Sequence, residues 1–206
     1  PIGCWTDESG EGNDATASSL TGPDLTTGVS GLNGQDALLF DRTTNSNTGE
    51  GLGPADTDDI NTASGGYAEK TIALTIRTGG DVSTRQVIYE QGDANDGFNV
   101  YVDGGSVTAS AWSNTNGWSD PFSVSKSVSP NASYVVTFVF DKDASNQLEL
   151  FVDGSSAATA SDASITEMPA HSGDIGIGNV IGGTQIDGSP PTDVSGDGNE
   201  GFDGHE

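Results

Sequence analysis

Basic side chains are the scarcest charged class in this sequence. Its 206 residues contain 6 Lys and Arg against 31 Asp and Glu, which gives a formal net charge of -25 at pH 7. A surface this negative repels phosphate, and the sequence has no basic cluster to overcome that repulsion. We therefore expect no nucleic-acid partner.

Cysteine, histidine and long apolar runs are also nearly missing. Cys4 is the one cysteine, so no internal disulfide can form, and we expect it to be a buried or incidental thiol. His171 and His205 are the two histidines, too few to predict a zinc site. No segment approaches the roughly 18 apolar residues that a membrane helix requires. The chain is predicted not to insert into a membrane.

Glycine is abundant, and short apolar segments alternate with polar residues. The chain has 30 glycines, and 7% of its residues are aromatic, a composition typical of many turns. Alternation with a period of two residues predicts half-buried strands, and it occurs at residues 72–76, 98–102, 107–112, 134–140 and 148–152, with a short apolar run at 87–89. No window has the apolar period of a helix. The sequence therefore predicts an all-β protein.

Residues 99–110 and 149–160 resemble each other. Each segment is an apolar strand, an Asp-Gly turn and a return strand of small residues, and Asp-Gly supplies the positive φ angles of a tight hairpin. We interpret them as two similar hairpins in one antiparallel sandwich. Residues 43–66 and 182–204 have no such periodicity and are predicted to be long surface loops.

Several segments resemble, in the same order, the laminin G-like jelly rolls of the concanavalin A-like lectin/glucanase superfamily. They are WTDESGEGNDAT at 5–16, GLNGQDALLFD at 31–41, the strand pair 134–154 that ends in LFVDG, DIGIG at 174–178 and GFDG at 201–204. The resemblance implies a two-sheet antiparallel β-sandwich, a jelly roll, as a single domain over residues 1–206. It also implies an extracellular recognition module, commonly with calcium in its loops.

The resemblance also leads to an expectation about the two termini. Members of the family usually have a strand before the Trp5 segment and an apolar strand after the segment that ends at Gly204. Without those strands a sheet edge would be unpaired. We therefore expect either that this chain is an excised piece of a longer one or that another segment or chain completes its sheet.

Two groups of polar residues are candidate calcium ligands. Calcium takes about six to eight oxygen ligands, and Asp is frequent in the glycine-rich turns of this chain. Residues 193–199 follow the first seven positions of an EF-hand loop, but Gly204 stands where that loop carries its bidentate Glu, so we do not predict an EF-hand. The candidates are Asp193, Asp197, Asn199 and Asp203 in one group and Asp7, Asn13 and Asp14 in the other, and a joint site is a third possibility.

Turn chemistry and adaptation to salt are alternatives to calcium as the reason for the many acidic residues. Asp and Asn favour turns because their side chains bond the nearby backbone, so Asn13 would simply brace its own turn. A dense acidic surface also keeps a protein hydrated in high salt. Bound cations and abundant salt would both offset the self-repulsion of the carboxylates, and both fit an extracellular or cell-surface location.

Residues 112–120 are the best candidate for recognition of a sugar. Trp112 and Trp118 flank a polar turn that contains Asn116, and Asp120 follows Trp118. Asn116 and Asp120 both offer hydrogen bonds to hydroxyl groups. Sugars stack their C–H faces on exposed aromatic rings. Because Trp112 continues the alternation of its strand, we expect it to pack in the core, whereas Trp118 follows a turn-like segment and is predicted to be exposed. For Trp5 we expect a structural role.

Motifs for catalysis are missing. The superfamily's glucanases present E-x-D-x-x-E on one strand, and this sequence lacks that motif. The nearest pair, Glu149 and Asp153, would lie roughly 13 Å apart on a strand, whereas hydrolase carboxyl pairs are separated by about 5 to 9.5 Å. We predict that the protein is not an enzyme.

Together these observations predict a calcium-supported module that binds a glycan or a cell-surface polysaccharide within a larger adhesion protein. Two alternatives remain. The first is a structural jelly-roll subunit that assembles into an extracellular fibre or surface layer. The second is a polysaccharide-degrading enzyme or its accessory domain.

Overall fold

The strands of this protein are short and connected by many turns. The computed structural model describes residues 1–17, 21–42, 50–54, 60, 66–171, 173–187, 192–195 and 201–206, with the backbone alone at 119–121 and 192–195. In these ranges one 3₁₀ turn, Ser30–Leu32, accompanies the strands β1 (Cys4–Trp5), β2 (Ala15–Thr16), β3 (Asp24–Val29), β4 (Gln35–Phe40), β5 (Gly53–Pro54), β6 (Glu69–Thr78), β7 (Gln86–Gly92), β8 (Asp96–Asp103), β9 (Ser106–Ser113), β10 (Trp118–Ser127), β11 (Ser133–Asp141), β12 (Leu148–Val152), β13 (Ser155–Ala160), β14 (Ile175–Ile177), β15 (Gly183–Ile186), β16 (Thr192–Ser195) and β17 (Gly204–His205). The predicted all-β class is confirmed. Among the described residues, no helix has the length and hydrophobicity that crossing a membrane requires.

Two antiparallel sheets form the sandwich. The larger has the order β13-β12-β11-β6-β17-β4-β3, and the smaller has the order β10-β9-β8-β7-β14. A small sheet, β1-β2-β5, contributes Ala15 to the same core, and β15 pairs with β16. The predicted two-sheet antiparallel jelly roll is confirmed.

Alternating side chains of the two sheets make the core between them. In the larger sheet, Phe138 pairs with Leu150 and Phe140 with Leu148, and all four side chains are fully buried. Phe98 of the smaller sheet meets Phe140 with ring centroids 5.4 Å apart. Burial of large side chains stabilises such a core by about 1.5–3 kcal/mol each.

The two hairpins predicted from the internal resemblance are confirmed. β8 pairs with β9 across Asp103 and Ser106, so the first turn is Gly104-Gly105 rather than the predicted Asp-Gly. β12 pairs with β13 across Val152 and Ser155, so the second turn is the predicted Asp-Gly. In the second turn Asp153 has a φ of 52°, a left-handed conformation that Asp tolerates because its short side chain bonds the backbone. Asp153 Oδ1 does so by accepting from the Val135 backbone N–H at 2.9 Å.

The prediction that residues 182–204 form a long surface loop is wrong. Residues Gly183–Ile186 form β15, which pairs with β16 and is buried against the smaller sheet. Asn99 Nδ2 donates to Thr184 Oγ1 and to the Gln185 carbonyl, both at 2.7 Å. Because polar side chains pair with each other here, the strand lacks the apolar alternation that would reveal it. Of the other predicted loop, 43–66, the described residues include β5.

Strand β17 lies inside the larger sheet. Gly204 pairs with Phe40 on β4 and with Thr78 on β6, and His205 pairs with Leu39 and Arg77. β17 is therefore flanked on both sides, and the edges of this sheet are β13 and β3. That another segment or chain completes the sheet stays a prediction.

Gly178→Ala is expected to lower the free energy of unfolding by about 3 kcal/mol, since it combines backbone strain with overpacking. Gly178 has a φ of +75°, and an added Cβ would lie 2.1 Å from Phe40 Cε1. The matched control is Gly104→Ala, with a φ of +55° and nothing within 4 Å of the added Cβ; it should lose only about 1 kcal/mol. Urea unfolding of both variants measures the difference, and equal losses would contradict this packing.

Candidate functional site

Trp112 and Trp118 are both core residues. Their exposed fractions are 0% and 1%. Trp112 Nε1 donates to the Asp93 carbonyl at 2.9 Å, which confirms its predicted place in the core. Trp118 packs between Phe122 and Phe140, with ring centroids 6.3 and 6.0 Å away, so the exposure predicted for it is wrong. The polar turn before Trp118 returns the chain to β10, whose first side chain points inward.

The rest of the predicted sugar site holds two loops together. Asn116 Nδ2 donates to the Glu167 carbonyl at 2.7 Å, which ties the turn after β9 to the loop before residue 168. The Asp120 side chain lies outside the described atoms. With both indole rings buried, residues 112–120 present no tryptophan platform to a sugar.

The Asp7 carboxylate organises the opening loop. It accepts from the Ser9 N–H at 2.8 Å, from Ser9 Oγ at 2.7 Å and from the Asn13 N–H at 3.0 Å. These hydrogen bonds lower the pKa of Asp7 to about 2, and the bond from Ser9 Oγ has the largest effect. Asp14 Oδ1 accepts from the Asp7 N–H at 2.8 Å. The loop therefore braces itself through its own polar atoms, and calcium binding by Asp7, Asn13 and Asp14 stays a prediction.

The second candidate calcium group is only partly described. Asp203 is half-buried, and burial, aided by the nearby Asp41 charge, raises the pKa of its carboxyl. Asp193 lies in β16 with its side chain undescribed, and Asp197 and Asn199 lie outside the described residues. Within the described part of the chain, no cluster of three or more Asp, Glu, His and Cys side chains is arranged to hold a metal ion.

Trp5 is the exposed indole of this molecule. Its side chain lies on the two-residue strand β1 and is 44% exposed, which does not fit the structural role expected from the sequence. Cys4 beside it is exposed as well, so the thiol is not buried. The Trp5 ring stands where two surface clefts meet, and both clefts are lined by Trp5, Thr6 and Glu8.

The first cleft, which we call the sheet cleft, lies between β1 and the β3–β4 hairpin. It has a volume of about 390 Å³, and its further lining includes Ile2, Leu25, Asp36, Leu38 and Glu206. Leu25 is 55% exposed on edge strand β3. Asp36 Oδ1 accepts from the Gly28 N–H at 3.0 Å, which fixes the carboxylate at the mouth of the cleft.

The second cleft, which we call the loop cleft, lies between the opening loop and β5. It has a volume of about 500 Å³, and its further lining includes Asp7, Ser9, Asn13, Ile60 and Ile177. Pockets of about 300–1,000 Å³ accommodate small ligands. Asp7 and Asn13, two of the three predicted calcium ligands of the opening loop, thus line the same cleft as the exposed Trp5.

Three donors hold the far wall of the loop cleft in place. The Ile60 carbonyl accepts from Gln91 Nε2 at 2.8 Å, from Lys70 Nζ at 3.1 Å and from the Tyr67 hydroxyl. Lys70 also lies 4.9 Å from the Tyr67 ring centroid, and burial lowers its pKa to about 8. Lys70 therefore lies behind a residue of the wall and is not among the described residues that line the cleft.

The outer face of the smaller sheet is covered at β8. This strand is buried along both faces apart from its last residue, because β15 packs on it. Val87, Tyr101, Val180 and Ile186 form a second hydrophobic cluster there. A ligand therefore cannot reach β8, whereas the two clefts beside Trp5 are open to solvent.

Glu206→Gln tests the electrostatics at the base of the sheet cleft. Burial raises the pKa of Glu206 to about 8, and its Oε2 atom is buried without a hydrogen-bond partner. Because the folded state holds this proton and the unfolded state releases it near pH 4.5, the stability that Glu206 contributes is full below pH 4.5 and is lost as the pH rises through 8. The slope is at most about 1.4 kcal/mol per pH unit. Urea unfolding of both proteins at several pH values measures it, and an unchanged pH dependence in Glu206→Gln would contradict the burial.

Sequence reasoning missed Trp5, Ile60 and Leu25 as cleft residues. Trp5 lies in a strand too short to show any period, and Ile60 is placed by contacts with residues distant in sequence. The polar residues around Trp5 were the one available signal, since Thr6, Asp7 and Glu8 follow it directly. Polar neighbours on a short segment favour an exposed ring.

The sequence matches a known family model, and solved structures share the fold. Residues 49–194 match a laminin G-type model described as the concanavalin A-like lectin/glucanases superfamily. No curated protein sequence matches the chain. The three solved structures described next have at most 18% sequence identity to this chain, a level at which the likeness concerns the fold.

Of three similar structures, two have a TM-score above 0.5 and share the fold. One concerns botulinum neurotoxin type C, whose cell entry depends on interaction with two ganglioside molecules (13% identity, TM-score 0.58, 85% of this chain and 42% of that chain). The second is the LG4-5 pair of the mouse laminin alpha1 chain (17%, 0.51, 78% and 37%). The third is the CBM40 module of Ruminococcus gnavus IT-sialidase bound to alpha2,3 sialyllactose (18%, 0.49, 70% and 74%). The chain thus spans less than half of the neurotoxin and laminin chains.

Proposed function

Because the chain belongs to the laminin G-like family of the concanavalin A-like lectin/glucanases superfamily, we propose that it is a non-catalytic module that binds carbohydrate in the clefts beside Trp5. The observation that carries this proposal is the exposed Trp5 ring between two clefts. The ganglioside interaction of botulinum neurotoxin type C supports it as an example of glycan binding by a protein with a similar fold.

The chemistry of the clefts suits a sugar. An indole ring offers a large apolar face at low entropic cost, on which the C–H groups of a pyranose stack. Glu8 and Asp36 provide carboxylate acceptors for sugar hydroxyls, and Ser9 and Asn13 lie along the loop cleft. A few placed polar groups around an apolar surface are typical of ligand sites.

The proposed module does not catalyse a reaction. Glu149 Oε1 accepts from Ser156 Oγ at 2.5 Å, and Asp153 Oδ1 accepts from the Val135 N–H at the hairpin turn. Both members of the carboxyl pair considered from the sequence therefore have hydrogen bonds within the sheet. These contacts support a structural role for each of them.

We further propose that bound calcium stabilises the module. Its proposed location is extracellular or at the cell surface, within a larger adhesion protein. The excess of 31 acidic over 6 basic residues favours bound cations, because the carboxylates repel one another. The proposed calcium ligands are those predicted from the sequence: Asp193, Asp197, Asn199 and Asp203 in one group and Asp7, Asn13 and Asp14 in the other. Melting with chelator at constant ionic strength tests it, since loss of a bound ion lowers the melting temperature whereas charge screening stays unchanged.

A glycan array tests carbohydrate binding directly. Labelled protein is applied with calcium and, in parallel, with chelator at matched ionic strength. We expect retention on a defined set of glycans, weakened by the chelator. Retention on no glycan under either condition would contradict the proposed function, and retention unaffected by the chelator would contradict calcium support alone.

Self-assembly is the second candidate function, favoured by apolar exposure at one place. Trp5 and Leu25 are two of the three large exposed hydrophobic residues described, and both line the sheet cleft. Exposed apolar patches often mark protein–protein contacts, and β3 is an edge strand on which another chain could add. Sedimentation at increasing protein concentration distinguishes this candidate, because assembly through the cleft would raise the particle mass and compete with glycan.

A further inference from the structure

The charge around Trp5 restricts which sugars fit. We infer that the two clefts take glycans without acidic groups and reject sialylated or sulfated ones, an inference that rests on the proposed function. Asp7 and Glu8 line the loop cleft, and Glu8 and Asp36 line the sheet cleft. The described lining of neither cleft includes a Lys or Arg side chain.

Two of these three carboxylates, Asp7 and Asp36, are held in place by hydrogen bonds, so an acidic ligand would meet fixed charges. Asp7 is fixed by Ser9 and by the Asn13 N–H, and these hydrogen bonds stabilise its ionised form. Asp36 is fixed by the Gly28 N–H. Like charges brought together at a binding site weaken the wrong complex, which is how binding sites exclude partners.

Lys70, the basic side chain behind the loop cleft, does not relieve this repulsion. Its Nζ donates to the Ile60 carbonyl at 3.1 Å and lies over the Tyr67 ring. Lys70 itself is not among the described residues that line the cleft. An acidic sugar therefore finds carboxylates within reach and no cation to pair with among the described lining residues.

The same arrangement favours sugars with a protonated amine. Carboxylates accept hydrogen bonds from ammonium groups more strongly than from neutral donors. We expect an amine-bearing glycan to bind at least as tightly as a neutral one. A neutral glycan should bind more tightly than an acidic one. The repulsion acts between charges that are exposed to solvent. Added salt should therefore reduce the ratio between the affinities for neutral and acidic glycans.

Matched glycan pairs test the inference on the full chain with calcium held constant. Titration calorimetry compares lactose with sialyllactose, and a chitin oligomer with its deacetylated amine form. We expect the acidic member to bind at least tenfold more weakly than its neutral partner, with the ratio reduced in Glu8→Gln. The control Glu11→Gln removes an exposed carboxylate of the same loop that lines neither cleft, and should leave the ratio unchanged.

These titrations distinguish a failure of charge selectivity from a failure of glycan binding altogether. Equal or tighter binding of sialyllactose overturns the inference while glycan binding stands. Binding of no glycan of any charge, here and on the array, overturns both. A ratio unchanged in Glu8→Gln and altered in Glu11→Gln would also contradict the assignment of the selecting charge to the clefts.

Discussion

Trp5→Ala is expected to weaken glycan binding by about 30-fold, since a stacked tryptophan at the centre of a site contributes about 2 kcal/mol and each 1.4 kcal/mol is about tenfold. The ring is 44% exposed on β1, so its removal should change the free energy of unfolding by no more than about 0.5 kcal/mol. Trp5→Phe should keep part of the affinity because a smaller aromatic face remains. Calorimetric titration with a glycan retained on the array measures the loss.

Val135→Ala is the matched control for Trp5. Val135 is 46% exposed on β11, and it lines neither cleft beside Trp5. Its removal deletes an exposed apolar side chain without touching the proposed site, so affinity should stay at the level of the unchanged protein. Undiminished binding by Trp5→Ala, or an equal loss in Val135→Ala, would contradict the assignment of the site.

Trp118→Ala is expected to lower the free energy of unfolding by about 3–5 kcal/mol, the usual loss when a large aromatic side chain leaves a cavity in a core. Trp118 is 1% exposed and packs on Phe122 and Phe140. The molecules that remain folded should bind glycan with unchanged affinity, because the ring reaches neither cleft. Urea unfolding followed by far-ultraviolet circular dichroism gives the stability.

Trp118→Phe provides the graded comparison. A phenylalanine at this position keeps the apolar contact with Phe140 and leaves a smaller cavity, so its loss should lie well below that of Trp118→Ala. A loss under about 1 kcal/mol for Trp118→Ala, with reduced glycan affinity, would instead fit the exposed ring expected from the turn-like sequence before it.

Strands with long alternating patterns could be predicted from the sequence. β6, β11 and β12 each bury one side of an alternating segment in the core, and the period of two is the direct consequence of that burial. Asp-Gly sequences marked both hairpins, and the residues with positive φ are Gly104 and Gly105 in the β8–β9 turn and Asp153 and Gly154 in the β12–β13 turn. Resemblance to the family then supplied the arrangement in two sheets.

Short strands and polar contacts explain the predictions that failed. β15 carries Thr184 and Gln185, whose burial depends on Asn99 from a strand distant in sequence, so no local pattern reveals it. Trp112 was assigned from the alternation of its strand and Trp118 from the turn-like segment before it, whereas the two-residue strand β1 offers no such pattern for Trp5. The ring expected to be structural is exposed, and the ring expected to be exposed is buried.

The three tryptophans also provide the most direct test of carbohydrate binding beside Trp5. The chain has 3 Trp residues, so the indole N–H region of a nitrogen–proton correlation spectrum contains one signal for each, assigned by single Trp→Phe variants. Titration with a neutral glycan selected on the array is predicted to shift the Trp5 signal and to leave those of Trp112 and Trp118 in place. A titration that leaves the Trp5 signal unmoved while either buried indole shifts would contradict the account.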